Sequence, residues 1–151
     1  MKLEDIVNIR EIDQSVSERG RLVANFQVRG NFFFTLFKHA LKPYDISEVQ
    51  FNVLKILQAK HPDPVSSGDV SRLLISQASD VTRIVDRMIK KDLVTREVPE
   101  GNRRLVLISL TKNGLKKLNK TDNVVSEVLK STEVWSDDEV EALNKLLDKL
   151  G

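Results

Sequence analysis

The 151 residues contain no cysteine. That absence excludes disulfide staples, cysteine-ligated zinc and thiol-oxidation sensing. Histidine is nearly absent as well: His39 and His61 are the only two, and neither stands in a metal-ligand spacing such as HExxH. There is no glycine-rich phosphate loop, no GxSxG elbow and no recognisable set of paired titratable groups. The expectation is a protein that is not an enzyme, with no catalytic residue, no metal and no cofactor. No apolar run is long enough to span a bilayer, and no leader-like apolar stretch is present, so the expected location is the cytoplasm with no membrane partner. Aromatics make up only 5% of the chain while charged residues make up 30%, a balance typical of a helix-rich protein.

The charge that is present is unevenly placed. The chain carries a net charge of only +2. Residues 82–120 nevertheless hold eleven Lys/Arg against four Asp/Glu, a balance of +7, and residues 121–151 hold three against eight, a balance of −5. Residues 1–81 hold ten of each. A basic block in the second half is the electrostatic footprint of a polyanionic partner.

That block overlaps the stretch that organises the chain, Pro64 to Thr111. Its pattern is a short helix, a tight turn, a second helix and a β-hairpin, the order of a winged helix-turn-helix, whose natural ligand is duplex DNA. The second helix is expected from roughly Ser76 to Lys91. Val81, Ile84, Val85, Met88 and Ile89 form an apolar stripe at helical period. The opposite face holds Ser76, Ser79, Arg83, Asp86, Arg87 and Lys90. Ser79, Thr82 and Arg83 suit base edges, Arg87, Lys90 and Lys91 suit flanking phosphates, and Ser76 and Gln77 are counted with the DNA-binding residues of the helix. The plainer alternative is a surface helix with pairs such as Asp86–Lys90. Two strands are expected over Val94–Val98 and Leu105–Leu110, joined by the turn formers Pro99, Glu100, Gly101 and Asn102. Arg103 and Arg104 leave that turn together. They suit a minor groove or a phosphate pair, the alternative being a solvated turn.

Helices flank this segment. Val16 to Leu41 reads as one long helix with Leu22, Phe26, Phe33, Phe37, Ala40 and Leu41 on a broad apolar face, ended by Pro43. Gly30 weakens it locally or permits close helix approach. Ser47 with Gln50 forms a capping box for the next helix, and Ser66 or Ser67 caps the short helix whose Val70, Leu73 and Leu74 pack on its successor. Thr111 caps a further helix with Leu115, Leu118, Val125, Val128 and Leu129 inward. Ser136 with Glu139 opens a last one with Val140, Leu143, Leu146, Leu147 and Leu150 on a seam. One small winged domain cannot cover so much apolar helix, which implies a second subunit. Residues 1–14 are too short to fold alone and form either a tail or a short helix on that subunit. The expected fold class is mainly α (α+β): residues 1–44 as an N-terminal dimerisation region, 45–111 as the winged helix-turn-helix, and 112–151 as C-terminal dimerisation helices.

The runs Ile46-Ser-Glu-Val-Gln-Phe-Asn-Val-Leu54, Val81-Thr-Arg-Ile-Val-Asp-Arg-Met88, Lys90-Lys-Asp-Leu-Val94 and Asn102-Arg-Arg-Leu-Val-Leu-Ile-Ser-Leu-Thr111 resemble, in order and spacing, the MarR family of bacterial transcription regulators. The resemblance extends from about Val16 to the C-terminus. Asp92 stands where the family usually has glycine, and Asn102 where it usually has the wing aspartate. The resemblance implies a homodimeric, ligand-responsive repressor on a pseudo-palindromic double-stranded operator. It also implies a small aromatic effector in a cleft that Phe33, Phe37 and His39 would line; the plainer alternative makes the phenylalanines core and His39 structural or solvated. A winged-helix module that binds protein rather than DNA is the remaining alternative, and Arg83, Arg87, Arg103 and Arg104 favour DNA.

Overall fold

The computed structural model describes residues 16–74, 80–102 and 104–150. Six α-helices and three strands run through them: α1 (Glu18–Leu41), α2 (Glu48–Gln58), β1 (Val65–Ser66), α3 (Ser67–Leu73), α4 (Val81–Lys90), β2 (Val94–Glu97), β3 (Leu107–Leu110), α5 (Lys112–Lys130) and α6 (Asp137–Leu147). Single 3-10 turns follow α1 and α6. The described residues fall into two compact units, one within Met1–Ala40 and Val124–Gly151, the other Leu41–Asn123.

In the Leu41–Asn123 unit each helix start is written in side-chain chemistry. Ser47 accepts from Gln50 N, and Gln50 Oε1 accepts from Ser47 N, a reciprocal capping box that begins α2. Ser66 accepts from Asp69 N and begins α3. Thr111 Oγ1 accepts from Gly114 N and begins α5. Pro43 lies in the 3-10 turn just past the end of α1, as its missing N–H requires. Phe51, Val53, Leu54 and Leu57 of α2, Val70 and Leu74, Val85 and Met88 of α4, and Ile108 of β3 are all buried and form the core of this unit. Burying side chains of this size contributes about 1.5–3 kcal/mol each.

The sheet has the order β1-β3-β2, antiparallel throughout. Val94 pairs with Leu110 and Glu97 with Leu107, so β2 and β3 make the hairpin. The strand β1 was not evident in the sequence. It is two residues long, Val65 opposite Ile108, and too short to show alternation.

Three sequence expectations need correction in this unit. The second helix of the helix-turn-helix starts at Val81 rather than Ser76: Asp80 is non-helical (φ −65°, ψ 89°) and accepts from Arg83 N as the N-cap, and an Asp in that role ends the helix on its N-terminal side. Leu73 does not pack inward; it is 53% exposed, and Val70 and Leu74 alone turn to the core. Along α5 the buried positions are Gly114, Leu118 and Thr121 here and Val124 and Val128 in the other unit. Leu118 and Val128 were expected, while Leu115 and Val125 are half-buried and Leu129 is exposed, because burial follows three- and four-residue steps from Gly114 rather than the most apolar residues.

In the other unit, α1 runs unbroken through Gly30, where an added Cβ would meet nothing within 4 Å. Phe32, outside the apolar face read from the sequence, is its buried phenylalanine and meets Phe33 edge to face at 5.5 Å between centroids. Phe33 and Phe37 are half-buried, while Leu22, Val23, Phe26 and Phe34 are exposed. The capping box of Ser136 and Glu139 begins α6 as expected. None of the residues of α6 is buried, and Leu143, Leu146 and Leu147 with the following Leu150 are all exposed.

Candidate nucleic-acid interface

Helix α4 separates into two faces. Val85 and Met88 are fully enclosed and fix its inner side. Thr82, Arg83, Arg87 and Lys90 are exposed; the three cations follow one another at four and three residues and so share one outer face. Their immediate partners differ. Arg83 Nε meets Asp80 Oδ2 at 3.1 Å, and Arg87 Nε donates to the Arg83 carbonyl at 3.2 Å. Lys90 has no ion pair among the described residues. Lys91, read in the sequence as a phosphate contact, is engaged on the surface: its Nζ donates to the Asp45 carbonyl at 2.6 Å and to Asp45 Oδ2 at 2.9 Å. Asp86 does not pair with Lys90 along the helix. It takes Arg96 of β2 at 2.8 Å, which couples the hairpin base to α4.

The helix ends in a Schellman motif. Asp92 N donates to the Ile89 carbonyl and Leu93 N to the Met88 carbonyl, both at 2.9 Å, with Asp92 at φ 52°. Glycine is the usual occupant of that conformation, and aspartate takes it at modest cost. Here the aspartate also returns something glycine could not, a carboxylate that accepts from Asn113 Nδ2; its backbone carbonyl accepts from Thr111 Oγ1 at 2.6 Å, as any residue's would.

At the hairpin tip, Gly101 sits at φ 89°, a conformation natural to glycine. Asn102 N donates to the Pro99 carbonyl, and Asn102 Oδ1 accepts from Arg104 N at 3.2 Å. The amide thus supplies the local turn bond that a carboxylate at this position would make, without its charge. Arg104 is exposed. Ser76, Gln77, Ser79 and Arg103 lie outside the described residues.

A small hollow in the first unit is lined by Phe32, Thr35, Leu36 and His39. His39 is therefore placed on it, whereas Phe33 and Phe37 are not among its walls. Among the described residues no group of three or more His, Cys, Asp or Glu could hold a metal ion. Nor is any helix among them long and apolar enough to cross a membrane.

Two further residues matter, Asp80, which sequence reasoning passed over, and Asp86, for which it named a different partner. Asp80 and Asp86 each bind an arginine of the basic surface. The signal for Asp80 was available as an Asp-x-x-Arg start to the helix; that for Asp86 was not, since its partner lies on another element.

Comparison with known proteins places these observations. Residues 44–105 match the family model described as the MarR family. The chain is 33% identical over 109 residues, 72% of each chain, to the HTH-type transcriptional regulator MgrA of Staphylococcus aureus. It is 29% identical over 116 residues, 76% of this chain and 74% of the other, to the HTH-type transcriptional regulator MhqR of Bacillus subtilis. Among solved structures, a mutant MarR from E. coli complexed with operator DNA superposes with a TM-score of 0.74 at 26% identity, over 94% of this chain and 96% of that one.

Proposed function

The chain belongs to the MarR family and is a transcription regulator of that family, and on this premise we propose that it binds a pseudo-palindromic double-stranded operator as a homodimer and represses from it. The observation that carries the reading is the outer face of α4: Thr82, Arg83, Arg87 and Lys90 exposed on a helix whose other side is locked by Val85 and Met88. Such a helix presents donors to base edges from its first turns and cations to phosphates further along. In this reading Arg104, with Arg103 beside it in the chain, follows into the adjacent minor groove, and Ser76, Gln77 and Ser79 join the major-groove contacts. The likeness to a MarR seen with operator DNA supports the same docking.

Residues 1–44 and 112–151 would then supply the dimer, the exposed leucines of α6 and the exposed apolar residues of α1 being the surfaces that a second copy covers. An aromatic effector would bind on the side of α1 bearing His39, with Phe33 and Phe37 nearby in sequence.

The deciding experiment is titration of duplex DNA at increasing salt. Each phosphate neutralised contributes about −0.9 to the slope of log K against log salt, so two copies of this surface give a slope of several units. Protected half-sites should be spaced by about 34 Å, one helical turn. A flat salt response would overturn the reading.

A further inference from the structure

The groove-facing helix begins with an acid, and that acid is not idle. Asp80 uses one oxygen for each of two tasks. Oδ1 accepts from the Arg83 backbone N at 3.2 Å, capping α4, and Oδ2 holds Arg83 Nε at 3.1 Å. Both side chains remain open to solvent, 54% exposed for Asp80 and 79% for Arg83. The contact therefore stands on the surface that would meet DNA.

We infer that Asp80 is a specificity-determining residue: it positions Arg83 to read a guanine edge and keeps it from serving as a general phosphate contact. The inference rests on the reading that α4 enters the major groove. Two physical arguments carry it. An arginine has five N–H donors in a planar fork. With Nε held by Asp80, the two terminal amino groups face outward as a pair, which is the edge that matches guanine O6 and N7. The second argument is electrostatic. A duplex carries one negative charge per about 1.7 Å of axis, and a helix N-terminus ordinarily attracts such charge. A carboxylate at that end cancels the attraction. It leaves a net penalty in any register where the Arg83 guanidinium is not placed between Asp80 and the DNA. The wrong register loses the arginine contact and also sets a carboxylate against phosphate, which widens the gap between specific and non-specific binding.

The remaining charges of the helix fit this division of labour. Asp86 is taken by Arg96 of β2 and Lys91 by Asp45, which leaves Arg87 and Lys90 as the cations not tied to an acid. Phosphate attraction can come from those two, and Arg83 is set apart by its acid.

The test uses the full chain and duplexes recovered by the wild-type protein from a random-sequence DNA pool. Asp80→Asn keeps a cap, since asparagine caps as well as aspartate, but loses the charge. Wild type should lose roughly five- to hundred-fold on swapping the guanine read by Arg83, the range of one bidentate base contact. D80N should lose less than about three-fold on the same swap, in keeping with a lost bidentate pairing, and should bind unselected duplex more tightly than wild type. Asp80→Ser, another competent cap, should behave as D80N does. In an Arg83→Ala background, D80N should change discrimination no further. If D80N or D80S keeps the wild-type penalty for the swap, the inference falls while the groove reading stands. If wild type itself does not distinguish recovered from unselected duplex, both fall together.

Discussion

Lys91 and Asp45 lie 46 residues apart in the chain and are joined twice, through the Asp45 carbonyl at 2.6 Å and its carboxylate at 2.9 Å. Asp45 itself is left-handed at φ 52°, at the bend between α1 and α2. Lys91, at the C-terminal cap of α4, is therefore a tether to that bend, and its charge is paired with an acid on the protein surface.

This separates two neighbouring lysines. Lys90→Ala should lower the salt slope of DNA binding by about 0.9 for each protomer in contact, one phosphate's share. Lys91→Met should leave the slope unchanged and lower the thermal midpoint instead. The Lys91 hydrogen bond, and next its charge, hold the Asp45 carboxyl below its ordinary value of 3.8. A lowered pKa stabilises at pH above the ordinary value and ceases to do so as pH falls through the folded value. The stability gap between wild type and K91M should accordingly narrow in acid below about pH 3.8, leaving the share of the bond to the Asp45 carbonyl. Equal loss of slope in both variants would contradict the separation.

Removing Arg103 and Arg104 together should weaken binding most where the flanks of the operator are A·T-rich. Narrow A-tract minor grooves carry enhanced negative potential and attract arginine, whereas the groove's own pattern distinguishes little else. Footprinting of the double alanine variant on flank-swapped duplexes checks this. Unchanged affinity on A·T-rich flanks would show the hairpin tip to be a bystander.

Gly114→Ala should damage the fold with no change in the basic surface. An added Cβ would lie 2.0 Å from the Leu93 carbonyl oxygen, a backbone atom that no rotamer change can move. Overpacking of this kind costs about 1–3 kcal/mol or more, and the midpoint should fall by roughly 2–4 °C for each kcal/mol in a chain of this size. A variant that melted with wild type would mean that α5 can back away from Leu93 freely.

Glu48 offers a change of opposite sign. Its Oε2 is buried without a hydrogen-bond partner, and burial pushes its carboxyl above the ordinary 4.5. A raised pKa favours the protonated form in the folded state, so that stabilisation is complete below pH 4.5 and is lost as pH climbs through the folded value. Glu48→Gln mimics the protonated form at every pH. It should match wild type in acid and exceed it at neutral pH in denaturant titrations. A neutral-pH penalty would show that the carboxylate is stabilised where it sits.

Leu143→Lys combined with Leu147→Lys should convert a homodimer to monomers at micromolar concentration, as read by sedimentation. Both side chains are exposed in one copy, at 38% and 37%, on a helix with no buried residue. An unchanged sedimentation coefficient would remove α6 from the interface.

Much of this was legible in the sequence because it is written locally. Ser47 with Gln50, Ser66, Thr111, and Ser136 with Glu139 announce helix starts within four residues, and Pro43 marks where α1 stops. The stripe that contains Val85 and Met88 shows which side of α4 faces out. What periodicity could not supply were contacts between distant residues. Nothing near Lys91 or Asp86 names Asp45 or Arg96 as partner. The pairing of Val65 with Ile108 spans a distance over which two residues carry no pattern. Among four phenylalanines in six positions, Phe32 to Phe34 and Phe37, composition alone did not tell which one is buried, because α1 is apolar on several sides. The serines before Asp80 looked helical since they continue the polar face, and only the capping role of Asp80 shows where the helix begins.

The double fastening of Asp92 to Thr111 and Asn113 has a bearing on how this protein can change over generations. The hairpin's two feet are pinned to each other by Thr111 Oγ1 on the Asp92 carbonyl and Thr111 N on the Leu93 carbonyl, below the first strand pair. What happens between Pro99 and Arg104 need not be felt by α4 or α5. Residues can be inserted, deleted or exchanged at the tip at the small cost of a longer surface loop. In the proposed docking, the tip that meets the DNA flanks is thus insulated from the part that must keep its shape, and variation in target choice can accumulate there without eroding the scaffold.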